Sequence, residues 1–421
     1  MANDMTMPET ATTELNGILP MQSLRAYLRD GAIAADTDFD DDQVQPASID
    51  LRLGRVAHRV RASFLPGAER TVAQQLDRLG MHTIDLADGA VLERGCVYIV
   101  PLMERLKLPP RVAGVANPKS SSGRLDIFTR LITDRAIAFD RIDSGYEGPL
   151  YAEIAPRTFS VLVKSGTRLS QLRLRKGRSR CTDVELRRLH ERVPLVHGAS
   201  ADDIAEGIAI SVDLHGAGGD AQKHAAETKD GRVLLGAGGG AQQHAAESKD
   251  GRVLLGAARD KLIGFKARPN TALIDVQKAA HYDPLDFWEP LYARGDEGLI
   301  LNPDDFYILA SREAVTIPPD HAAEMVPYDT LVGEFRVHYA GFFDPGFGYA
   351  PAGGQGTRAV LEIRSHEVPF LLEHGQIVGR LLYEKMTAQP ERLYGPDMGS
   401  NYQRQTLALS KQFRRVDWSA G

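Results

Sequence analysis

Lys119-Ser120-Ser121-Ser122-Gly123-Arg124, followed about two strands later by Ile142-Asp143-Ser144-Gly145-Tyr146-Glu147-Gly148 and then Pro149-Leu150-Tyr151-Ala152-Glu153, is the stretch whose reading decides the fold. Three hydroxyls, a lysine and an arginine within six residues form a compact donor cluster. Hydroxyls and turn N–H groups make short hydrogen bonds to phosphate oxygens, and arginine adds a planar fork. Glu153 falls one short strand beyond a glycine-bracketed turn, where a carboxylate can face a pocket.

Outward from this stretch the pattern is one of short alternating runs. Ile49-Asp50-Leu51-Arg52-Leu53, Val97-Tyr98-Ile99-Val100, Leu150-Tyr151-Ala152-Glu153-Ile154 and Val161-Leu162-Val163 are mostly bounded by glycine and proline. Many short strands at close spacing predict a mainly β protein, a barrel or a sandwich, with few helices. One short helix is expected from Pro20 to Asp30, where Met21, Leu24 and Leu28 recur at helical spacing and Gly31 stops the turn. An acidic loop, Asp36 to Asp42, follows it.

The chain repeats itself. A constant offset of 209 residues carries Leu92 onto Leu301, Tyr98 onto Tyr307, Leu108-Pro109-Pro110 onto Ile317-Pro318-Pro319, Glu153-Ile154 onto Glu362-Ile363, and Gly166 onto Gly375. Asp143-x-Gly145 corresponds to Asp344-Pro345-Gly346, eight residues early, and the extra segment Gly348 to Gln355 restores the register. Ile210-Ser211-Val212-Asp213-Leu214 echoes Ala47-Ser48-Ile49-Asp50-Leu51. Two tandem β domains are therefore expected, 1–195 and 196–421, with the boundary near Arg192 to Asp203, after the basic run Arg173 to Arg180. A second repeat lies inside the second half: 216–235 and 236–255 agree at all but three of twenty positions. Two copies are too few for a solenoid, so this reads as a duplicated, glycine-rich hairpin or loop. His224 and His244 have no partner histidine at ligand spacing, so the insertion is not expected to hold metal.

Composition narrows the function classes. With 421 residues, 43% apolar and 25% charged, the chain has room for two or three soluble domains. A net charge of −6 offers no general attraction to nucleic acid or anionic membrane, so phosphate recognition must be local. No apolar run is long enough to span a bilayer, and Met1 to Asn16 is polar and acidic, unlike a secretory signal; a cytoplasmic location is expected. Cys96 and Cys181 are the two cysteines, too few for a cysteine-based zinc site. The His-x-Glu and Pro-Cys-x-x-Cys pattern of zinc nucleobase deaminases is missing, so deamination here would have to proceed without zinc.

Lys-Ser-Ser-x-x-Arg followed by Ile-Asp-x-Gly-Tyr-x-Gly-x-x-x-x-Glu resembles the dCTP deaminase branch of the trimeric dUTPase-like superfamily. Gln45-Pro46-Ala47-Ser48-Ile49-Asp50-Leu51-Arg52-Leu53-Gly54 resembles that family's N-terminal signature, and Tyr394 with Asn401-Tyr402-Gln403-Arg404-Gln405 its C-terminal nucleotide lid. The resemblance implies two dUTPase-like distorted jelly-roll barrels and zinc-independent hydrolysis of dCTP to dUTP and ammonia, feeding dUMP and dTTP synthesis. It casts Glu153 as the catalytic acid/base, with Ser120 and Arg124 orienting water and holding charge. Lys119, Ser121, Ser122, Arg141, Asp143, Tyr146, Tyr151, Tyr394, Asn401 and Gln405 would bind the nucleotide, Asp143 taking the sugar 3′-hydroxyl, while backbone groups from Phe139 to Asp143 read the pyrimidine. The triphosphate would carry Mg²⁺, with no metal held by the protein alone; dTTP would be a feedback inhibitor, and a trimer of two-domain chains or higher is the expected assembly.

The chain departs from the family at Asp126 and Phe139, where a glycine and a small residue are common, and at Asn401, where a lysine is usual. Under the 209-residue shift Ser120, Ser121 and Arg124 become Asp329, Thr330 and Gly333, so the second half has lost the donor cluster while keeping Glu362. Because sites in the trimeric relatives lie between lobes, Glu362 is the alternative to Glu153; the spacing from the glycine turn favours Glu153. The competing functions are a bifunctional dCTP deaminase and dUTP pyrophosphatase, and a non-enzymatic module sensing deoxynucleotides, with 216–255 as its contact surface.

Overall fold

Branched and aromatic residues at alternating positions make strands the main regular structure among the described residues, where the helices are few and short. The computed structural model describes residues 16–197, 201–216, 261–293, 297–327, 335–337, 341–352, 356–365, 367–395 and 407–416. The 216–255 repeat from residue 217 onward, with Asp329, Thr330, Gly333, Asn401 and Gln405, lies outside them. The expected first helix is Met21–Arg29, with Met21 and Leu24 buried and Gly31 just past its end at φ +75°. Val72–Leu79 and Asp183–Arg192 each begin with a capping box, Thr71 with Gln74 and Thr182 with Glu185.

The first half forms two larger sheets. In one, Arg168–Lys176 is flanked by Gly17–Ile18 and Val112–Pro118 and also pairs with Ile49–Arg52; in the other, Val97–Lys107 and Glu147–Pro156 sit centrally beside Ile127–Thr133. The second half repeats this plan, with Ile377–Lys385 beside His321–Pro327, and Phe306–Val315 beside Thr357–Ser365. Register repeats as well as order. Leu92 pairs with Val161 as Leu301 does with Phe370, and Ile99 with Glu153 as Ile308 does with Glu362. Both halves close the same turn with a tyrosine: Tyr98 Oη accepts the Glu93 N–H at 3.0 Å and Tyr307 Oη the Asn302 N–H at 3.1 Å. The offset seen in the sequence is thus an offset in hydrogen-bond pairing.

The halves also exchange core residues. Phe265, Phe287, Trp288, Phe306 and Phe413 pack in the cluster built around Leu51, Val100 and Ile154 of the first half. Trp288, fully buried, meets Phe159 edge-on at 5.5 Å and Phe413 at 5.9 Å. In return Leu186, Leu189 and Leu195 pack among Ile210, Leu309 and Leu381. Ile274–Asp275 adds a parallel strand to Val161–Val163. Arg173, with no exposed surface, reaches from Arg168–Lys176 to the carbonyl oxygens of Ala323 (3.0 Å) and Phe343 (3.4 Å) and to Asp344 Oδ1 (3.1 Å). Burying that guanidinium demands such partners, so the two halves are held in one relative position.

Candidate active site

The strand Val112–Pro118 ends at Lys119, whose extended backbone precedes one helical turn, Ser120–Gly123. That turn closes by bonds from the Ser122 N–H (2.8 Å) and Gly123 N–H (3.0 Å) to the Lys119 carbonyl, and the Lys119 N–H bonds to Leu169 O at 2.9 Å. Ser121, Ser122 and Arg124 are buried, so the hydroxyl-rich turn faces inward. It faces a cavity of about 440 Å³ between the halves, a volume suited to a nucleotide-sized ligand.

Across the cavity stands Glu362, on the strand Thr357–Ser365 of the second half. Its Oε1 lies 4.0 Å from Arg124 Nε, and both side chains are buried. Gly123 is needed here for close approach: a Cβ at that position would meet Glu362 Oε2 at 3.0 Å. Burial pushes the Glu362 carboxyl up to about 8; the Arg124 charge opposes that rise and the Asp126 charge adds to it. A carboxyl so placed both takes and gives a proton near neutral pH.

The turn Asp344-Pro345-Gly346 lines the same cavity through Asp344, whose carboxyl is raised by burial and held down in part by Arg173. Gly346, at φ +100°, leaves room for Leu393 and Tyr394, and the Tyr394 N–H bonds to Pro345 O at 2.8 Å. Tyr394 therefore borders the cavity. The segment 407–416 closes another side. Arg124 Nη1 donates to Ala408 O at 3.1 Å, the Ser410 hydroxyl lies 2.8 Å from Ser121 O, and Gln412 Nε2 donates to Val276 O at 2.6 Å.

The wider mouth carries Lys119, Arg168 and Lys411 together with Asp42 and Asp50. Lys119 pairs with buried Asp50, whose Oδ1 has no hydrogen-bond partner, and Arg168 bridges Asp40 and Asp42. Burial, then the charge of Lys119, pushes the Lys411 amine down, so a polyanion would relieve an existing strain.

The structure brings together Lys119, Ser120, Ser121, Ser122, Arg124 and Tyr394 around this cavity, and not Glu153, Arg141, Asp143, Tyr146 or Tyr151; Asn401 and Gln405 lie outside the described residues. Glu153 is buried elsewhere, its Oε1 accepting from Arg130 Nε (3.1 Å) and Nη2 (2.5 Å), with that guanidinium 3.5 Å above the Phe139 ring. Arg141 and Asp143 are exposed away from the cavity. The Tyr146 hydroxyl donates to Pro149 O at 2.7 Å, and Tyr151 packs near Val60 and Ile99. The reason is physical: the Ser/Arg turn of one half meets the glutamate strand of the other, so residues adjacent in sequence serve different faces. The sequence reading missed Asp344, Gln277, Lys411 and Gln412 as cavity residues. Asp344 had a signal, its displaced Asp-Pro-Gly turn; the others had none.

A duplicated, mainly β protein that pools a basic, hydroxyl-rich turn from one half with a protonatable buried carboxylate from the other has the side chains that proton chemistry on a phosphorylated ligand requires. The family model described as the 2'-deoxycytidine 5'-triphosphate deaminase (DCD) N-terminal domain matches residues 15–178, and that of the C-terminal domain matches residues 241–413. The chain belongs to the dCTP deaminase family. The dCTP deaminase of Natronomonas pharaonis is 32% identical over 161 residues, which cover 37% of this chain and 78% of that relative. A dUMP-forming dCTP deaminase of Methanobrevibacter smithii is 26% identical over 160 residues, 37% of this chain and 78% of that relative. The solved structure of 2'-deoxycytidine 5'-triphosphate deaminase from Agrobacterium tumefaciens shares 53% identity and a TM-score of 0.75, covering 88% of this chain and 99% of that one.

Proposed function

We propose that the cavity between the halves hydrolyses dCTP to dUTP and ammonia, with Glu362 as the proton shuttle in the role first expected of Glu153. The observation that carries this reading is Glu362 itself, buried, raised to about 8 and set beside Arg124. The Glu362 carboxylate takes a proton from water as the water oxygen bonds to C4, and delivers it to N3. It then takes the proton of the new C4 hydroxyl and gives it to the departing amine as the C4–N4 bond breaks, so that one water is consumed and one ammonia released. Arg124, with the Ser120, Ser121 and Ser122 turn, orients the water and balances charge during attack. Lys119, Arg168 and Lys411 receive the triphosphate at the mouth, and Asp344 with the backbone of Gly341–Phe343 faces the nucleoside.

Mg²⁺ would enter with the triphosphate, held chiefly by phosphate oxygens and water, neutralising phosphate charge; buried, unpartnered Asp50 Oδ1 is the protein atom that fits it. The finer architecture we infer is two dUTPase-like distorted jelly-roll barrels, 1–195 and 196–421, assembled as a homo-oligomer in the cytoplasm and inhibited by dTTP. Among the described residues no helix is long and apolar enough to cross a membrane.

The deciding experiment incubates metal-stripped protein with dCTP and Mg²⁺, beside Glu362→Gln. Ammonia and dUTP from the wild type, and neither from the variant, support the reading; turnover by Glu362→Gln overturns it. Appearance of dUMP and pyrophosphate marks the second reading, a bifunctional enzyme, favoured by the dUMP-forming relative. Binding of dCTP with no product supports the sensor.

A further inference from the structure

Two residues beyond Arg124 and two beyond Glu362, the same segments meet again through a second pair of opposite charges. Asp126 and Arg364 are both buried, and Arg364 Nη2 donates to Asp126 Oδ2 across the junction of the halves. The same nitrogen donates to Thr158 Oγ1 at 2.8 Å, and Thr158 Oγ1 donates to Asp126 Oδ2 at 2.5 Å. Arg364 Nη1 donates to Asp304 O, so the guanidinium is held from two sides. Asp126 sits at φ +54°, a left-handed conformation that explains why glycine suits this place and that aspartate and asparagine tolerate better than most residues. Glu362 and Arg364, two apart on one strand, project to the same face. The turn thus presents plus then minus, and the strand minus then plus. One cross-pair is tight, and the other, Arg124 with Glu362, is open at 4.0 Å.

We propose that Asp126 and Arg364 are positioning residues for the proton shuttle: their ion pair clamps the Ser120–Gly123 turn to the Glu362 strand and holds Arg124 just short of a direct bond to Glu362. This rests on the role given to Glu362 above. A direct bidentate bond would fix Glu362 as a carboxylate and stop it shuttling; the clamp leaves space for a water instead. The Asp126 charge also adds to the upward displacement of the Glu362 carboxyl. Besides Arg124 and Glu362, the charged groups lining that cavity are Lys119, Arg168, Lys411, Asp42, Asp50 and Asp344, so Glu362 faces both signs.

The test is the pH profile of kcat/KM for dCTP in the full-length protein. Asp126→Asn removes a negative charge and leaves Arg364 uncompensated beside Glu362, so the midpoint of the acid limb is expected to fall by about one pH unit. Arg364→Gln leaves Asp126 uncompensated, and the midpoint is expected to rise by about as much. The double variant should return close to the wild-type midpoint. A structural role alone moves no midpoint in opposite directions, so folded single variants with wild-type midpoints overturn the proposal. If a single variant fails to fold, Arg364→Lys decides, since it keeps the charge but loses the fork: kcat should drop about tenfold with KM within about twofold, and a wild-type kcat overturns the proposal. Glu362→Gln is run alongside; its retained turnover would overturn the Glu362 reading, whereas its loss of turnover with unmoved midpoints in the clamp variants overturns the clamp alone.

Discussion

Arg124 and Glu362 stand 4.0 Å apart, Nε to Oε1, across the junction of two halves of one chain, each buried and each supplied by a different repeat. A guanidinium at that distance stabilises a carboxylate without capturing it. Burial by itself would keep Glu362 protonated, so the pair balances two opposing effects near neutral pH.

Glu362→Gln is therefore expected to lower kcat for dCTP by roughly 10²- to 10⁴-fold, the span a positioned acid/base contributes. Glu153→Gln should leave kcat within about threefold and instead weaken folding, because Arg130 loses its ion-pair partner. Arg130 is partly exposed, so water compensates some of that loss and about 1–2 kcal/mol is expected. Steady-state assays and urea denaturation of both variants check the pair of outcomes; a Glu153→Gln enzyme as inactive as Glu362→Gln contradicts the assignment.

The raised Glu362 carboxyl also sets a pH dependence of stability. Its usual value is 4.5 and its folded value about 8, so between these the folded protein keeps a proton that the unfolded chain has released. Stability from this group is whole below the lower value, falls as pH rises through the window, and is lost above the upper one. Glutamine mimics the protonated form, so Glu362→Gln should match the wild type at pH near 4.5 and exceed it increasingly toward pH 8.5, by a few kcal/mol at the upper end. Urea midpoints at both pH values decide; a gap of equal size at each contradicts the raised carboxyl.

Much of this architecture was legible in residue patterns, and the reason is local. Val161–Val163 and the strands around Val97 and Leu150 follow from period-two alternation, and Met21–Arg29 from helical spacing closed by Gly31. The 209-residue offset held because strand register conserves spacing: Ile99 with Glu153 and Ile308 with Glu362 are the same pairing twice. The choice between those two glutamates was not legible. Each looks like a strand residue after a glycine turn, and only the packing of one half on the other turns Glu362 toward Arg124 and leaves Glu153 to Arg130. Lys411 and Gln412 were hidden for the same reason, as tail residues whose role depends on where the tail returns.

Lys411 supplies a prediction about the mouth of the cavity. Its amine is depressed first by burial and then by Lys119, and triphosphate oxygens would restore it. Lys411→Ala should raise KM for dCTP about tenfold, the equivalent of ~1.4 kcal/mol, with kcat within about twofold. The KM difference should shrink as salt is raised, because the lost interaction is electrostatic. An unchanged KM at low salt contradicts a phosphate-binding role.

Arg173 makes the junction between the halves testable without reference to catalysis. Its guanidinium is fully buried, caps Ala323 O and Phe343 O, lies 4.0 Å from the Phe342 ring centre and faces Asp344. Arg173→Met keeps most of the volume but strands the Asp344 carboxylate and the carbonyl oxygens. The expected loss is about 3–5 kcal/mol, the usual cost of removing one member of a buried ion pair. Adding Asp344→Asn should recover part of that loss by removing the orphaned charge, and the recovered fraction measures the coupling across the junction. Urea denaturation of the two single variants and the double closes the cycle. Additive single-variant losses would mean that Arg173 and Asp344 do not act as a pair.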